Sequence, residues 1–269
     1  MSREGRLSGI QLSREGSVAI LTLCRPEKKN TLTPDDLSDM SRFIRRLSNE
    51  DTARALILRG KGSSMFSAGF DIAQLPGDGS PESARAVQAA SPLEQTLETL
   101  ASFPYPTIAM LNGDAYGGGF ELAVACDLRI AGDHVKIGMP PVKLGLVYPY
   151  PGFRRFIKVF GFAVTLEIFL TGRMYDSRTC LLKGLVSDVA ASGDLHRVSM
   201  ELAETMAAHA PMAVKGSKQA LHALGDAFEL SPEQEALLWR LFSDSLNSKD
   251  FKEGRQAFLE KRKPRFCGE

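Results

Sequence analysis

The apolar run Thr107-Ile-Ala-Met-Leu111, continued by Asn112-Gly-Asp-Ala-Tyr-Gly-Gly-Gly-Phe-Glu-Leu-Ala-Val-Ala-Cys-Asp127, constrains this chain more than any other stretch. A short unbroken apolar run bounded by turn residues reads as a buried strand. Three consecutive glycines, Gly117 to Gly119, then carry the chain into a short apolar helix with one acid, Glu121. Glycine opens dihedrals closed to other residues and lets the backbone pass close to a ligand. The helix start beyond it aims free N–H groups and the positive end of a dipole at whatever lies there. Strand, turn, helix start and carboxylate together mark a place where negative charge develops. A tight connection with a solvent-facing Glu121 satisfies the same local pattern.

The surrounding sequence supplies a β/α frame. Residues 9–23 read as two strands about a turn at Arg14-Glu-Gly16, the second being Val18 to Leu23. Thr33 is placed as an N-cap, Pro34 in the first helical turn, and Asp35 and Asp36 match the dipole. Leu37, Met40, Phe43, Ile44 and Leu47 then recur at helical spacing. Ala55 to Leu58 is the next buried strand, so strand, helix and strand imply a parallel right-handed crossover. Phe66-Ser-Ala-Gly-Phe-Asp-Ile72 repeats the opening logic, with Gly69 before a predicted helix start at Phe70 and Asp71. Residues 76–92 read as a mobile loop, and Leu93 to Ala101 as a helix. Leu128 to Ile130 and Val135 to Ile137 are short strands. Met139 to Gly152, with four prolines and two tyrosines, predicts an irregular loop. From Phe153 onward the pattern is helical, over 161–170, 176–182, 194–210, 212–224, 231–245 and 249–261. No internal repeat is visible.

Bulk properties bound the function. A chain of 269 residues with 43% hydrophobic content buries a sizeable core. Its net charge of +1 recruits neither nucleic acid nor membrane. The arginines Arg42, Arg45 and Arg46 on the first helix are the one RNA-binding candidate, and Glu50 and Asp51 follow them. Four dispersed cysteines exclude a disulfide framework or CxxC zinc site and point to a reducing compartment. His134, His196, His209 and His222 lack metal-ligand spacing. With no signal-peptide core and no run of membrane-spanning length, the expectation is a cytoplasmic protein.

Taken together, the ordered pieces resemble the crotonase (enoyl-CoA hydratase/isomerase) superfamily. They are Arg25-Pro-Glu-Lys-Lys-Asn-Thr-Leu32, Phe66 to Ile72, Pro106 to Gly113, Tyr116 to Ala123, and Cys126 to Ala131. Leu170 to Ser177, Lys183 to Ser187 and Gly254 to Pro264 continue the set. The resemblance implies an α/β crotonase-like spiral of repeated ββα units over residues 1–192. It also implies a C-terminal helical trimerisation region over 193–269, giving homotrimers or hexamers. It implies a coenzyme A thioester as substrate, with no permanently bound cofactor and no metal. Matching residue by residue puts the two backbone oxyanion donors at Phe70 and Gly118. Lys28, Lys29, Ala68, Asp71, Ile72, Tyr116 and Pro141 match positions around the CoA substrate. Lys28 and Lys29 read equally as a solvated charge cluster, and Asp71 as a helix cap.

Glu121 matches the first catalytic glutamate of family hydratases, and Pro141 stands where the second belongs. A single carboxylate restricts the chemistry. A 1,3 proton shift needs one base, whereas water addition is easier with two groups, one orienting water and one delivering a proton. Lys143, Tyr148 and Tyr150 lie nearby, but a phenol with an ordinary pKa near 10 is a poor base. The resemblance implies an enoyl-CoA hydratase with Glu121 as acid/base. The alternatives are a double-bond isomerase using Glu121 alone, or a CoA-binding member without standard hydratase activity.

Overall fold

The computed structural model describes residues 2–7, 9–70, 91–225 and 232–267. β1 (Ser2–Leu7), β2 (Ile10–Glu15) and β3 (Val18–Leu23) form an antiparallel meander. α1 (Pro34–Glu50) then returns the chain to β4 (Ala55–Gly60), which lies parallel to β3 with Ile20 opposite Ile57. The cap is as the sequence predicts. Thr33 accepts from Asp36 N at 3.3 Å, and Asp36 accepts in return from Thr33 N at 3.2 Å. Asp36 also takes the Gly9 N–H at 2.9 Å, so the cap ties α1 to the meander.

From β4 onward one pattern repeats: a strand in a large sheet, a strand in a small sheet, then a helix. The first unit is β4, β5 (Met65–Ser67) and α2 (Pro92–Ala101). The second is β6 (Thr107–Leu111), β7 (Asp114–Tyr116) and α3 (Gly118–Val124). The third is β8 (Leu128–Gly132), β9 (Lys136–Gly138) and α4 (Tyr150–Phe160). This is the expected spiral of ββα units. α5 (Phe162–Thr171), β10 (Met174–Asp176), α6 (Ser177–Leu182) and β11 (Asp188–Ala190) follow. The large sheet runs β1-β2-β3-β4-β6-β8-β11 and the small one β10-β9-β7-β5.

β10 and β11 correct the all-helical reading of the C-terminal part. At three residues each they are too short for periodicity to register, and their pairing with β9 and β8 is what defines them. The 139–152 stretch is also less irregular than expected. It holds a 3-10 turn at Pro141–Leu144, and α4 already begins at Tyr150. Proline is tolerated in a first helical turn because its missing N–H has no intrahelical partner there. The 76–90 part of the loop reading, and the predicted helix start at Asp71, lie outside the described residues.

Alternation along the strands divides the core. Leu56 and Leu58 of β4 pack with α1, while Ala55 and Ile57 face the opposite side. That opposite side is covered by Leu195, Met200, Ala203 and Ala207 of α7 (Leu195–Ala207). α7 therefore seals the large sheet, just beyond the proposed boundary between residues 192 and 193. α8 (Pro211–Gly225) buries no residue fully; Val214 packs partly buried against the core, and polar contacts add to it. Lys218 Nζ reaches Asp127 Oδ2 at 2.7 Å, and His222 Nε2 lies 3.1 Å from Asp127 Oδ1. α9 (Pro232–Asn247) and α10 (Lys249–Leu259) fold back onto the 139–152 stretch. There Trp239 meets Tyr150 edge-on at 5.0 Å, and Phe242, Leu246 and Phe251 bury together around Leu146.

Two buried polar side chains fix the central unit. Asn112 brackets Gly60, accepting its N–H at 2.9 Å and donating to its carbonyl at 2.8 Å, which locks the end of β6 to β4. Arg129 donates to Cys126 O at 2.8 Å and to Leu185 O at 3.0 Å. Its guanidinium so satisfies carbonyls left over just beyond α3 and α6.

Candidate active site

The site forms where α3 starts. All residues of α3 are buried, so this helix runs through the core with its N-terminus facing the 66–70 segment. Close approach requires glycine here. A Cβ on Gly119 would stand 2.3 Å from Ser67 O, and Gly69 holds φ at +83°. The same geometry brings Phe70 and Gly118 together. A Cβ on Gly118 would lie 3.5 Å from Phe70 N, and one on Gly69 would lie 2.8 Å from Gly118 N. Neither of these two N–H groups donates to a backbone acceptor among the described residues.

The 25–32 segment runs alongside. Ala68 N donates to Lys29 O at 3.0 Å and Leu32 N to Gly69 O at 2.9 Å. Lys28 and Lys29, both exposed, are thereby brought beside Ala68 and Phe70. Tyr116, at the end of β7, donates its hydroxyl to Asp114, and burial pushes its phenol far up. Asp71 and Ile72 lie outside the described residues.

One turn beyond Gly118, on the same face of α3, Glu121 is 3% exposed. Both of its oxygens are engaged. Tyr148 donates its hydroxyl to Oε2 at 2.5 Å, and Arg155 Nη1 donates to Oε1 at 2.5 Å. The other arm of that guanidinium, Nη2, reaches Glu94 Oε1 at 2.5 Å. Burial pushes the Glu121 carboxyl above its ordinary value; Arg155 and the Tyr148 hydroxyl pull against that without cancelling it. Burial, then the Glu121 charge, push the Tyr148 phenol well up, so it stays a proton donor rather than a base. Burial works against the charge on Arg155, but Glu121 and Glu94 outweigh it and hold the guanidinium protonated.

Pro141 is buried and carries no proton, and Lys143 is exposed with its chain lying against Gly172. Tyr150 packs on Trp239. Of the three neighbours weighed as substitutes for the second acid, Tyr148 is the one hydrogen-bonded to Glu121. Its ring also lines an apolar hollow of about 500 Å³ with Pro141, Val142, Phe153, Leu166 and Phe169. Arg155 and Glu94 were not legible as site residues. No motif marks either residue in the sequence. They lie 34 residues from Glu121 and 61 from Arg155 respectively, with no motif joining them. Among the described residues, no cluster of three or more His, Cys, Asp or Glu side chains can hold a metal ion. No helix among them is long and apolar enough to cross a membrane.

A model of the enoyl-CoA hydratase/isomerase family matches residues 13–269. The chain belongs to this family. Its relatives include a short-chain-enoyl-CoA hydratase of Clostridium acetobutylicum, 33% identical, with 96% of this chain and 97% of the relative covered. A methylmalonyl-CoA decarboxylase complexed with 2S-carboxypropyl-CoA superposes with a TM-score of 0.91 at 30% identity, covering 98% of this chain and all of that one. An enoyl-CoA hydratase from Bacillus anthracis reaches a TM-score of 0.74 at 29% identity, covering 97% of this chain and 100% of that chain. Membership makes this a crotonase-type enzyme acting on CoA thioesters. Relatives bearing hydratase and decarboxylase names share its fold, so the reaction has to be argued from the site itself.

Proposed function

We propose that this enzyme forms a thioester enolate by removing carbon dioxide from a carboxylated acyl-CoA, and protonates it with the Tyr148–Glu121 pair. One observation carries the reading. Both Glu121 oxygens are occupied, by Tyr148 and by Arg155, while Pro141 fills the position matched to the second hydratase acid. Water addition needs one group free to orient water and another to deliver a proton. Loss of carbon dioxide needs neither. The bond between the α-carbon and the carboxylate breaks, its electron pair passes toward the thioester oxygen, and carbon dioxide leaves. One proton then bonds to the α-carbon, so substrate anion plus proton gives acyl-CoA plus carbon dioxide.

Each residue has a task in this scheme. Phe70 and Gly118 donate their N–H groups to the enolate oxygen; one such donor in a dry site is worth about 3–4 kcal/mol of barrier. Tyr148 holds the proton that reaches the α-carbon, and Glu121 orients its hydroxyl and passes the replacement from solvent. Lys28, Lys29, Ala68, Tyr116 and Pro141 contact the substrate, the lysines toward the CoA phosphates. The acyl substituent enters the hollow that Tyr148 shares. Assembly into a trimer or hexamer is carried forward from the resemblance, and light scattering tests it.

The test uses carboxylated acyl-CoAs, crotonyl-CoA and a 3-enoyl-CoA in deuterated water with mass detection. Release of carbon dioxide with one deuterium retained beside the thioester is expected. Preferential formation of a water adduct from crotonyl-CoA would replace this reading with hydration. Migration of the 3-enoyl double bond as the faster reaction would replace it with isomerisation by Glu121.

A further inference from the structure

The Arg155 guanidinium carries more negative charge than its pairing requires. It hydrogen-bonds Glu121 through Nη1 and Glu94 through Nη2, both at 2.5 Å, so one cation stands against two anions. The Arg155 side chain is 15% exposed and that of Glu94 31%, so the second carboxylate is partly desolvated. Enclosing an extra anion costs desolvation that a simple Arg155–Glu121 pair avoids. Nor is Glu94 a loosely held surface acid. Its N–H is capped by the Ser91 hydroxyl at 3.4 Å in the first turn of α2. Its neighbour Leu93 comes within 3.3 Å of where a Cβ on Gly118 would stand. The first turn of α2 thus borders the candidate oxyanion donors on one side and Arg155 on the other.

We infer that Glu94 is a positioning residue that occupies the second arm of Arg155, turning the guanidinium onto Glu121 and withholding it from the substrate's own carboxylate. The inference rests on the decarboxylase reading. A guanidinium with a free arm is a ready carboxylate receptor, since its planar fork matches two carboxylate oxygens. Such a contact would stabilise the bound substrate more than a transition state whose charge is moving toward the thioester oxygen, and would slow the reaction. With both arms taken by Glu121 and Glu94, the substrate carboxylate meets a net negative cluster. The charge finds donors only after it has moved to Phe70 and Gly118.

The test compares wild type with Glu94→Gln, which keeps the shape of the side chain and removes its charge. Two inert probes are used, a 2-carboxyalkyl-CoA and the matching alkyl-CoA without the carboxylate. Glu94→Gln should bind the carboxylated probe about tenfold more tightly and the uncharged one as wild type does, the scale of a modest charge pair. On the carboxylated substrate kcat and KM should fall together, the signature of a lost ground-state penalty. Glu94→Asp should restore both. The groups facing Glu121 are Tyr148 from the 145–149 loop, Arg155 from α4 and, through it, Glu94 from α2. Because the Glu94 charge pushes the Glu121 carboxyl up, its removal should also move the acidic limb of activity to lower pH. Should Glu94→Gln fold poorly, Glu94→Ala removes the same charge and frees the same arm of Arg155, and it should raise affinity for the carboxylated probe alone. Equal changes for both probes, or none, would overturn the inference. Absence of carbon dioxide release by wild type would overturn the decarboxylase reading instead, and the probe ratio is independent of turnover.

Discussion

Tyr148 donates its hydroxyl to Glu121 Oε2 at 2.5 Å, joining a proline-flanked loop to a helix 27 residues earlier in the chain. The bond converts a single carboxylate into a pair that holds one proton under desolvation. Tyr148→Phe should lower kcat by about a hundredfold or more, the usual worth of a positioned proton donor. CoA affinity should stay near wild type. Loss of deuterium incorporation in single-turnover mass spectra is the measurement; retention of wild-type incorporation would remove Tyr148 from the mechanism.

Activity should depend on pH through Glu121. Burial raises its carboxyl above the ordinary 4.5, and the ionised form is the one that accepts from Tyr148 and Arg155. The acidic limb of kcat therefore lies above 4.5, and no alkaline limb arises from Tyr148, whose phenol is pushed well above 10. A pH profile of kcat for wild type and Glu121→Gln checks both, since the variant should lose the acidic limb together with most of its activity.

Gly69→Ala should abolish turnover while leaving much of the fold intact. The residue holds φ at +83°, and a Cβ there would press within 2.8 Å of Gly118 N and of Tyr116 O. Relief must separate Phe70 from Gly118, and misplacing one oxyanion donor costs about a hundredfold to a thousandfold in kcat. Steady-state kinetics alongside a thermal melt separates this from unfolding.

Pro141→Glu tests the missing acid by adding it. Pro141 sits in the first turn of a 3-10 segment and lines the hollow that Tyr148 also lines. A carboxylate suits a first helical turn. Hydration of crotonyl-CoA should rise above the wild-type rate. A variant that folds and yet shows no gain would mean that the position does not face the reacting carbon.

Asp127 fastens α8 to the start of β6. It accepts from Thr107 N at 2.7 Å and from Lys218 at 2.7 Å, and it lies beside His222. Burial pushes its carboxyl up, but His222, Lys218 and Thr107 outweigh it and hold the group below 3.8. A depressed carboxyl stabilises the folded state above its unfolded pKa, and that stability is lost as pH falls through the folded value. Asp127→Asn should therefore cost about 2–3 kcal/mol at neutral pH, and less at a pH below the ordinary 3.8. Urea titrations of both proteins at the two pH values measure the difference.

The amino-acid sequence by itself determined the local elements that flank the candidate site. The Thr33 cap, the apolar runs of β3, β4 and β6, and the helix start at Gly118 follow from interactions within a few residues, which is why they were legible. The ββα repeat left no sequence repeat, because each unit keeps the alternation of strands and the spacing of helices without keeping residue identities. Strands as short as β10 and β11 exist only through their partners in the sheets. The joining of Arg155 and Glu94 to Glu121 and Tyr148 was decided only by the tertiary structure. Glu94, Glu121, Tyr148 and Arg155 come from four separate segments. Packing around α3 brings them to hydrogen-bonding distance in a desolvated space, where a carboxylate's partners, and not its place in a motif, govern what it can do.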